Sequence, residues 1–443
     1  MKIEIKSEEL KKRLYALLSA PLWGFRETVD AFAKACPREV ADEQVNPDQL
    51  VGNEEFWTTI VNPELVKRRV GMVKYLEKLE ESGQAVVWDG KGKGRGIVMT
   101  GGNQDTTARL LVTLRILRKE YKTSLPVEIF SFPGEIQDEA LLKELEELNA
   151  VVKELPGRTK LNIWKNFQIK ADAIVSSSFE EVLYLDSDNV PTRDPTYLFN
   201  ADIYKKNGKA VFWPDLNKDH PDNPIWRLLG KPCDYSQWEI ESGQIIISKS
   251  GNDGLNLAAL HLASHMQEQH EFYFRLSGGD KDTFRYAFWA LRLPFGVSPR
   301  YLSALGFKSQ YDNGRFCGIA MLQYDLIDPP EAQATSHPTP LFVHGNLLKH
   351  MNLLPSGGGS PFSVIKRFST DVAKSRELDG AKMYVYNVHG MCIDLELLGE
   401  AAVEKGGKGL KIVEEAFEEV YGGLLKRFSE IYYKHGGKGG GWR

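Results

Sequence analysis

The chain has 443 residues, 42% hydrophobic and 26% charged, a length and composition that suit one large α/β domain with additions, or two domains. A net charge of -4 supplies no general attraction to nucleic acid or to an anionic membrane. No apolar run reaches about 18 residues, so no membrane span is expected, and Met1 opens no signal peptide. Cys36, Cys233, Cys317 and Cys392 are widely spaced without a Cys-x-x-Cys pair, which argues against a zinc ribbon or a thioredoxin-like motif and leaves one or two disulfides open. There is no Asn-x-Ser/Thr sequon.

Residues 1–90 are expected to form a helical N-terminal extension packed on the main domain. Ser7 caps a first helix with a stripe of Leu10, Leu14, Leu17 and Leu18; Phe25, Val29, Phe32 and Ala33 form a second stripe. Pro63 opens a third helix with Leu65, Val66, Val70, Val73, Leu76 and Leu79 inward. Lys91 to Gly96 is a flexible basic hinge whose glycines precede the next strand, so it is not a Rossmann fingerprint.

From there strands and helices alternate. Strands are expected at 96–100, 127–130, 150–152 and 182–185, with helices beginning near Asp105, over Gln137 to Leu148 and over Asn166 to Ser178. Alternation with short connections predicts a mostly parallel sheet covered on both faces, with ligands bound beyond the carboxyl ends of the strands. Thr100, Gly101 and Gly102 end the first strand, where backbone can approach a nucleotide; two glycines also make an ordinary βα turn.

The strand Val182 to Leu185 delivers Asp186-Ser187-Asp188-Asn189-Val190-Pro191. If the strand continues, Asp186 and Asp188 leave the same face and can hold Mg²⁺ or Mn²⁺ against a diphosphate. The same residues also make a good turn. Lys165 and Lys170 lie upstream, where a lysine offsets diphosphate charge or sits on a solvated helix face.

Ala210 to Asp215 is another strand, and the Pro- and Asp-rich segment from Asn217 to Pro232, with Trp226, fits a loop facing substrate or a surface decoration. Glu241-Ser242-Gly243-Gln244 enters an apolar strand, either beside a sugar or as a plain turn. A helix over Leu255 to Phe274 carries His261, His265 and His270; Leu262 stands where a zincin needs its general base, so these read as ordinary surface or core histidines. Asp280 or Asp282 either caps the aromatic helix that follows or faces a pocket. Strands are expected over Arg315 to Tyr324, Pro340 to His344 and Met383 to Tyr386. A Gly-rich linker covers residues 355–360, a helix Glu414 to Lys434, and the Gly-rich end from Gly436 is expected to fray.

Taken in order, Met99-Thr100-Gly101-Gly102, Lys170-Ala171, Tyr184 to Asn189, Glu241 to Gln244, Gly279 to Phe284 and Phe342 to Asn346 resemble the fungal Golgi α-mannosyltransferases that build mannan branches, glycosyltransferase family seventy-one. The resemblance covers roughly residues 95–350. It implies a GT-A-type nucleotide-sugar-binding α/β fold over residues 91–354, followed by a strand and helix extension over 355–443 packed on it. It implies a GDP-mannose donor, a mannose-containing glycan acceptor, Mn²⁺ with Mg²⁺ as the alternative, and retention of configuration, with an α-1,2 linkage preferred over α-1,3. Asp186, Asp188 and His344 are then the metal ligands. Thr100, Gly101, Gly102, Lys170, Asp186, Ser187, Gln244, Lys281 and Lys349 bind the donor, and Glu241 and Asp280 are the catalytic candidates. Glu241 steadies an oxocarbenium-like cation or, like Asp280, serves as a nucleophile. Members of the family sit in the Golgi lumen on an N-terminal membrane anchor, which this chain is expected to lack. A UDP-sugar donor and a non-catalytic binding protein on the same fold are the competing readings.

Overall fold

Alternating apolar residues in short strands explain the central layer. Ile97 and Met99 face one core while Val98 faces the other; Leu183 and Leu185 likewise oppose Val182 and Tyr184, and Ile246 opposes Ile245 and Ile247. The computed structural model describes residues 1–38, 44–45, 47–160, 166, 168–327, 338–351, 360–369, 381–387, 391–397, 411–417 and 420–440. Lys165, most of the expected linker at 355–360 and part of the helix expected from Asn166 lie outside the described residues.

Among the described residues four helices come first: α1 (Glu8–Leu18), α2 (Phe25–Phe32), α3 (Pro47–Thr59) and α4 (Asn62–Glu81). Ser7 caps α1 by accepting from the Leu10 amide. Helix α3 has no counterpart in the sequence reading, because its apolar residues form no clear stripe. Leu10, Leu14, Leu17, Leu65, Met72 and Leu76 share one core with a face of the central sheet. Arg69 is buried in α4 and its guanidinium bonds the carbonyls of Ala20, Pro21, Arg227 and Leu228. The Cys36–Cys233 disulfide ties this layer to the body.

The central sheet uses β1 (Arg95–Thr100), β2 (Val127–Ser131), β3 (Ala150–Glu154), β4 (Glu181–Leu185), β6 (Ala210–Pro214), β7 (Ile240–Ser248) and β8 (Gly296–Val297), in the order β3-β2-β1-β4-β7-β6-β8. β3, β2, β1 and β4 are parallel as expected; β7 runs antiparallel to both β4 and β6. Helices α5 (Gln104–Arg115), α6 (Glu139–Glu147) and α7 (Lys170–Ser176) connect the parallel strands. After β6 come α8 (Ile225–Leu229), α9 (Leu255–Glu268), α10 (His270–Ser277) and α11 (Lys281–Ala290).

A second sheet is antiparallel and was only partly foreseen. It runs β13 (Ala381–Asn387), β14 (Met391–Leu397), β10 (Phe316–Tyr324), β9 (Ser303–Lys308), β12 (Val364–Phe368), β15 (Ile412–Ala416). β11 (Pro340–His344) joins β10 to the short β5 (Asn189–Pro191). Residues 414–416, expected to begin a helix, instead belong to β15 and pair with β12 as a half-exposed strand, and the helix α12 starts only at Leu424 (Leu424–Lys434). Beyond α12 the chain is anchored by the Gly437 amide on the Tyr432 carbonyl.

The segment from Asn217 to Pro232 is not a surface decoration. Residues 216–229 are buried, the Trp226 indole N–H donates to the His220 carbonyl, and its ring packs 5.6 Å from that of Trp289. Several of its polar residues find partners inside: Asp219 binds Arg285 and Tyr286, and Asn223 donates to the Leu276 carbonyl. Polar composition reads as exposure unless such partners are known.

One backbone pair, Gly318 with Ile393, joins β14 to β10, and the Cys317–Cys392 disulfide adds a covalent link at the same place. Replacing both cysteines with alanine is expected to lower unfolding free energy by about 2–4 kcal/mol in urea titrations. An unchanged midpoint would show that packing alone holds the β13–β14 hairpin.

Candidate metal and donor site

The two sheets meet at the aspartate pair. The Asp186 amide still bonds the Gly243 carbonyl of β7 at 2.8 Å, but β4 ends at Leu185 and the Asn189 amide closes a turn on the Asp186 carbonyl at 3.1 Å. The carboxylates therefore converge through a turn and not through strand alternation. β5 then pairs with β11 so that Asn189 stands opposite His344. That register brings His344 Nε2 to 3.2 Å from Asp188 Oδ1 and 4.0 Å from Asp186 Oδ2. One ligand atom from each of Asp186, Asp188 and His344 lies within 4.8 Å of the others, the one such grouping among the described residues. Two carboxylates and one imidazole form a donor set that fits Mn²⁺ or Mg²⁺.

Lysines flank both carboxylates. Lys170, at the first turn of α7 and buried, places Nζ 2.8 Å from Asp186 Oδ2, 3.2 Å from Asp280 Oδ2 and 3.0 Å from Ser242 Oγ. Ser242 also donates to Asp280 at 3.0 Å. Lys349 pairs with Asp188 Oδ2 from the short helical turn after β11. The Tyr184 hydroxyl donates to Asp186 Oδ1 at 2.7 Å and lies 2.8 Å from the Thr100 hydroxyl. Thr100 therefore reaches the site through Tyr184, to which sequence reasoning gave no role of its own.

Glu241 and Gln244 lie on β7 beside this group. Glu241 Oε1 is 3.0 Å from His344 Nδ1, and Gln244 spans Glu241 and Asn189. Gly243 is required by close approach, since a Cβ there would meet His344 Cε1 at 2.6 Å and Glu241 Oε1 at 2.6 Å. Gly101 and Gly102 follow β1; a Cβ on Gly102 would collide with the Glu135 carboxylate, so this glycine also answers a packing demand. Asp280 stands at the N-cap position of α11 without capping it, because its carboxylate is turned to Lys170 and Ser242. Lys281 is not brought to the Asp186 group: its ammonium pairs with Asp215 and Glu239, with Asp282 at 3.7 Å. Three carboxylates already answer its charge. His261 bonds the Ala85 carbonyl and His265 packs on Tyr75, as ordinary surface or core histidines do.

Ser187 lines a small cleft beside Asp188, together with Arg109, Gly345, Phe362, Phe428 and Tyr432. Phe362, Phe428 and Tyr432 come from beyond residue 360, a region where the sequence offered no motif.

Burial and charge oppose each other throughout the group. Burial would lift Asp188, but Lys349, His344 and Arg109 outweigh it and hold the carboxyl well below its usual range. Burial raises Asp280, with Lys170 pulling the other way. Burial works against the Lys170 ammonium, yet Asp186 and Asp280 keep it protonated. Burial also disfavours the His344 imidazolium, but Glu241 and Asp188 lift its pKa to about 10. A cation binding at Nε2 must displace that proton. Mn²⁺ affinity is therefore expected to rise about tenfold per pH unit between about pH 6 and 8, read by calorimetry. A flat profile would remove His344 from the ligand set.

A family model, Mannosyl_trans3, described as a mannosyltransferase, matches residues 94–230 and 230–325. Among curated proteins, Alpha-1,2-mannosyltransferase MNN2 of Candida albicans is 27% identical over 299 residues, 56% of this chain and 49% of that protein. Alpha-1,2-mannosyltransferase MNN2 of Saccharomyces cerevisiae is 30% identical over 287 residues, 53% of this chain and 46% of that one. The chain spans about half the length of the curated relatives it matches. Among solved structures, the galactosyltransferase LgtC with donor and acceptor sugar analogues is 16% identical, with 46% of this chain and 72% of that one covered and a TM-score of 0.32, too low to carry an argument.

Proposed function

This chain belongs to the Mannosyl_trans3 family of mannosyltransferases, and on that premise we propose that it moves mannose from GDP-mannose to a mannose-containing glycan, with retention of configuration and an α-1,2 linkage. The observation that carries the proposal is the convergence of Asp186, Asp188 and His344 with two lysines, Lys170 and Lys349, at one junction of the sheets. That is the charge pattern a divalent cation and a sugar diphosphate need together.

When bound, Mn²⁺ or Mg²⁺ supplies Lewis-acid neutralisation of the leaving diphosphate. The chain's own residues do the rest. Lys170 and Lys349, now answered by Asp186 and Asp188, are the cations available to meet the charge developing on GDP. Asp280 and Ser242, held on Lys170, offer acceptors to donor-sugar hydroxyls. The bond from the anomeric carbon to the phosphate oxygen breaks as an acceptor hydroxyl oxygen bonds the same carbon from the same face. The hydroxyl proton passes to the departing phosphate oxygen, so no protein nucleophile is consumed. The pairing of all four cysteines supports work in an oxidising lumen such as the Golgi.

The test is transfer to mannobiose by the full chain with GDP-mannose, UDP-glucose or UDP-galactose, with Mn²⁺ or with EDTA. The expected outcome is Mn²⁺-dependent turnover of GDP-mannose alone, with product NMR reporting an α-1,2 bond. Turnover of a UDP-sugar instead would overturn the donor. Nucleotide binding without any turnover would favour a binding protein.

A further inference from the structure

We infer that Glu241 acts on the cation site through His344, as a positioning residue, and is not the nucleophile of a covalent route. The inference rests on the proposed reading of Asp186, Asp188 and His344 as a cation site. Glu241 lies on β7, the strand that borders the aspartate turn, and is 4% exposed. Its Oε1 accepts from the Gly243 amide and its Oε2 from the Gln244 side chain. Gln244 is itself fixed by Asn189, whose side chain also donates to the Gly243 carbonyl at 2.8 Å. Both carboxylate oxygens are thus committed to the protein. A nucleophile needs an oxygen with open approach to the anomeric carbon, and Glu241 offers none.

What Glu241 does reach is the far nitrogen of the imidazole. His344 Nδ1 lies 3.0 Å from Glu241 Oε1, while Nε2 points to Asp188 Oδ1 at 3.2 Å. The approach to Nδ1 is off the N–H axis, so that nitrogen is buried without an in-line hydrogen-bond partner. A carboxylate on the second nitrogen fixes the tautomer with the proton on Nδ1 and leaves the Nε2 lone pair for a cation. The absent side chain at Gly243 leaves room for this contact: a Cβ there would clash with both the carboxylate and the ring.

The test is Mn²⁺ titration of the full chain, followed by the EPR signal of free Mn²⁺, for the unsubstituted protein, Glu241→Gln, His344→Gln, the double variant, and Asp188→Asn. Glu241→Gln is expected to weaken Mn²⁺ binding about 10–100-fold. In the His344→Gln background the same change is expected to cost less than about twofold, because its effect passes through His344. Glu241→Asp, which keeps the charge, should recover part of the loss and serves if Glu241→Gln does not fold. Loss of binding in Asp188→Asn with none in Glu241→Gln would overturn the inference alone. Unchanged binding in Asp188→Asn would overturn the cation site and this inference with it. A mannosyl adduct on the Glu241 peptide after incubation with GDP-mannose, found by mass spectrometry, would restore the nucleophile.

Discussion

Asp188→Asn is expected to cut mannosyl transfer about 10³-fold or more while the protein stays folded, and to remove Mn²⁺ binding in the same preparation. The side chain is the hub of the site: one oxygen meets His344, the other Lys349. Asparagine keeps the size and one carbonyl acceptor but drops the charge. On the proposed reading, loss of a ligand to the cation that neutralises a leaving diphosphate is worth several kcal/mol at the transition state, and about 4 kcal/mol corresponds to about 10³ in rate. His344 and Lys349 lose a counter-ion at once, so the imidazolium that Asp188 helps to stabilise becomes easier to deprotonate. The measurement is kcat for transfer beside a thermal melt. Loss of activity in step with loss of the melt would assign Asp188 to structure; full activity with EDTA present would remove the metal from the mechanism.

Much of the core of this site could be read from the chain, because it sits where strand periodicity ends and turn chemistry begins. Val182 to Leu185 announces a buried strand, and the Asp-x-Asp that follows has few structural uses beyond a turn or a ligand pair. The parallel order of β1 to β4 follows from the same alternation, as does the late strand ending in His344. What was not legible depends on long-range partners. Tyr184 looked like any strand aromatic until its hydroxyl was found on Asp186. Lys281 sits beside Asp280 in sequence, yet the two side chains diverge, one to Asp215 and Glu239, the other to Lys170. Glu241 showed only that an acid precedes an apolar strand; its contact with His344 joins residues about a hundred positions apart, which no local pattern encodes. The second sheet was hidden for a similar reason. Its strands are spread between Asn189 and Ala416, and apart from the β9–β10 and β13–β14 hairpins they pair across long connections that no local pattern encodes. The Asn217 to Pro232 segment misled in the opposite direction, since its prolines and aspartates signal a loop while Arg285, Tyr286 and Trp289 bury it.

Lys170→Met should destabilise the fold by about 3–5 kcal/mol near neutral pH, and the deficit should shrink as the solution is made acidic. Lys170 is buried between Asp186 and Asp280 and is the ammonium that separates them. Methionine fills much of the same volume, so the cost is one of charge: two carboxylates are left close together with no cation between them. The sign of the pH effect follows from Asp280. Burial already raises its carboxyl in the presence of Lys170, and removing the lysine raises it further. A carboxyl whose folded-state pKa is raised penalises the fold when ionised, and protonation relieves that penalty as pH falls through the raised value. The unsubstituted protein, with Lys170 in place, gains less from the same protonation. Urea unfolding of both proteins at about pH 7 and pH 5 reads the difference, which should narrow by 1 kcal/mol or more, roughly one pKa unit of coupling. Adding Asp280→Asn to Lys170→Met should recover part of the stability at neutral pH, because one of the two stranded charges is then gone. A deficit that stays constant across that range, and that Asp280→Asn does not relieve, would mean that Lys170 holds the site by packing rather than by answering the two carboxylates.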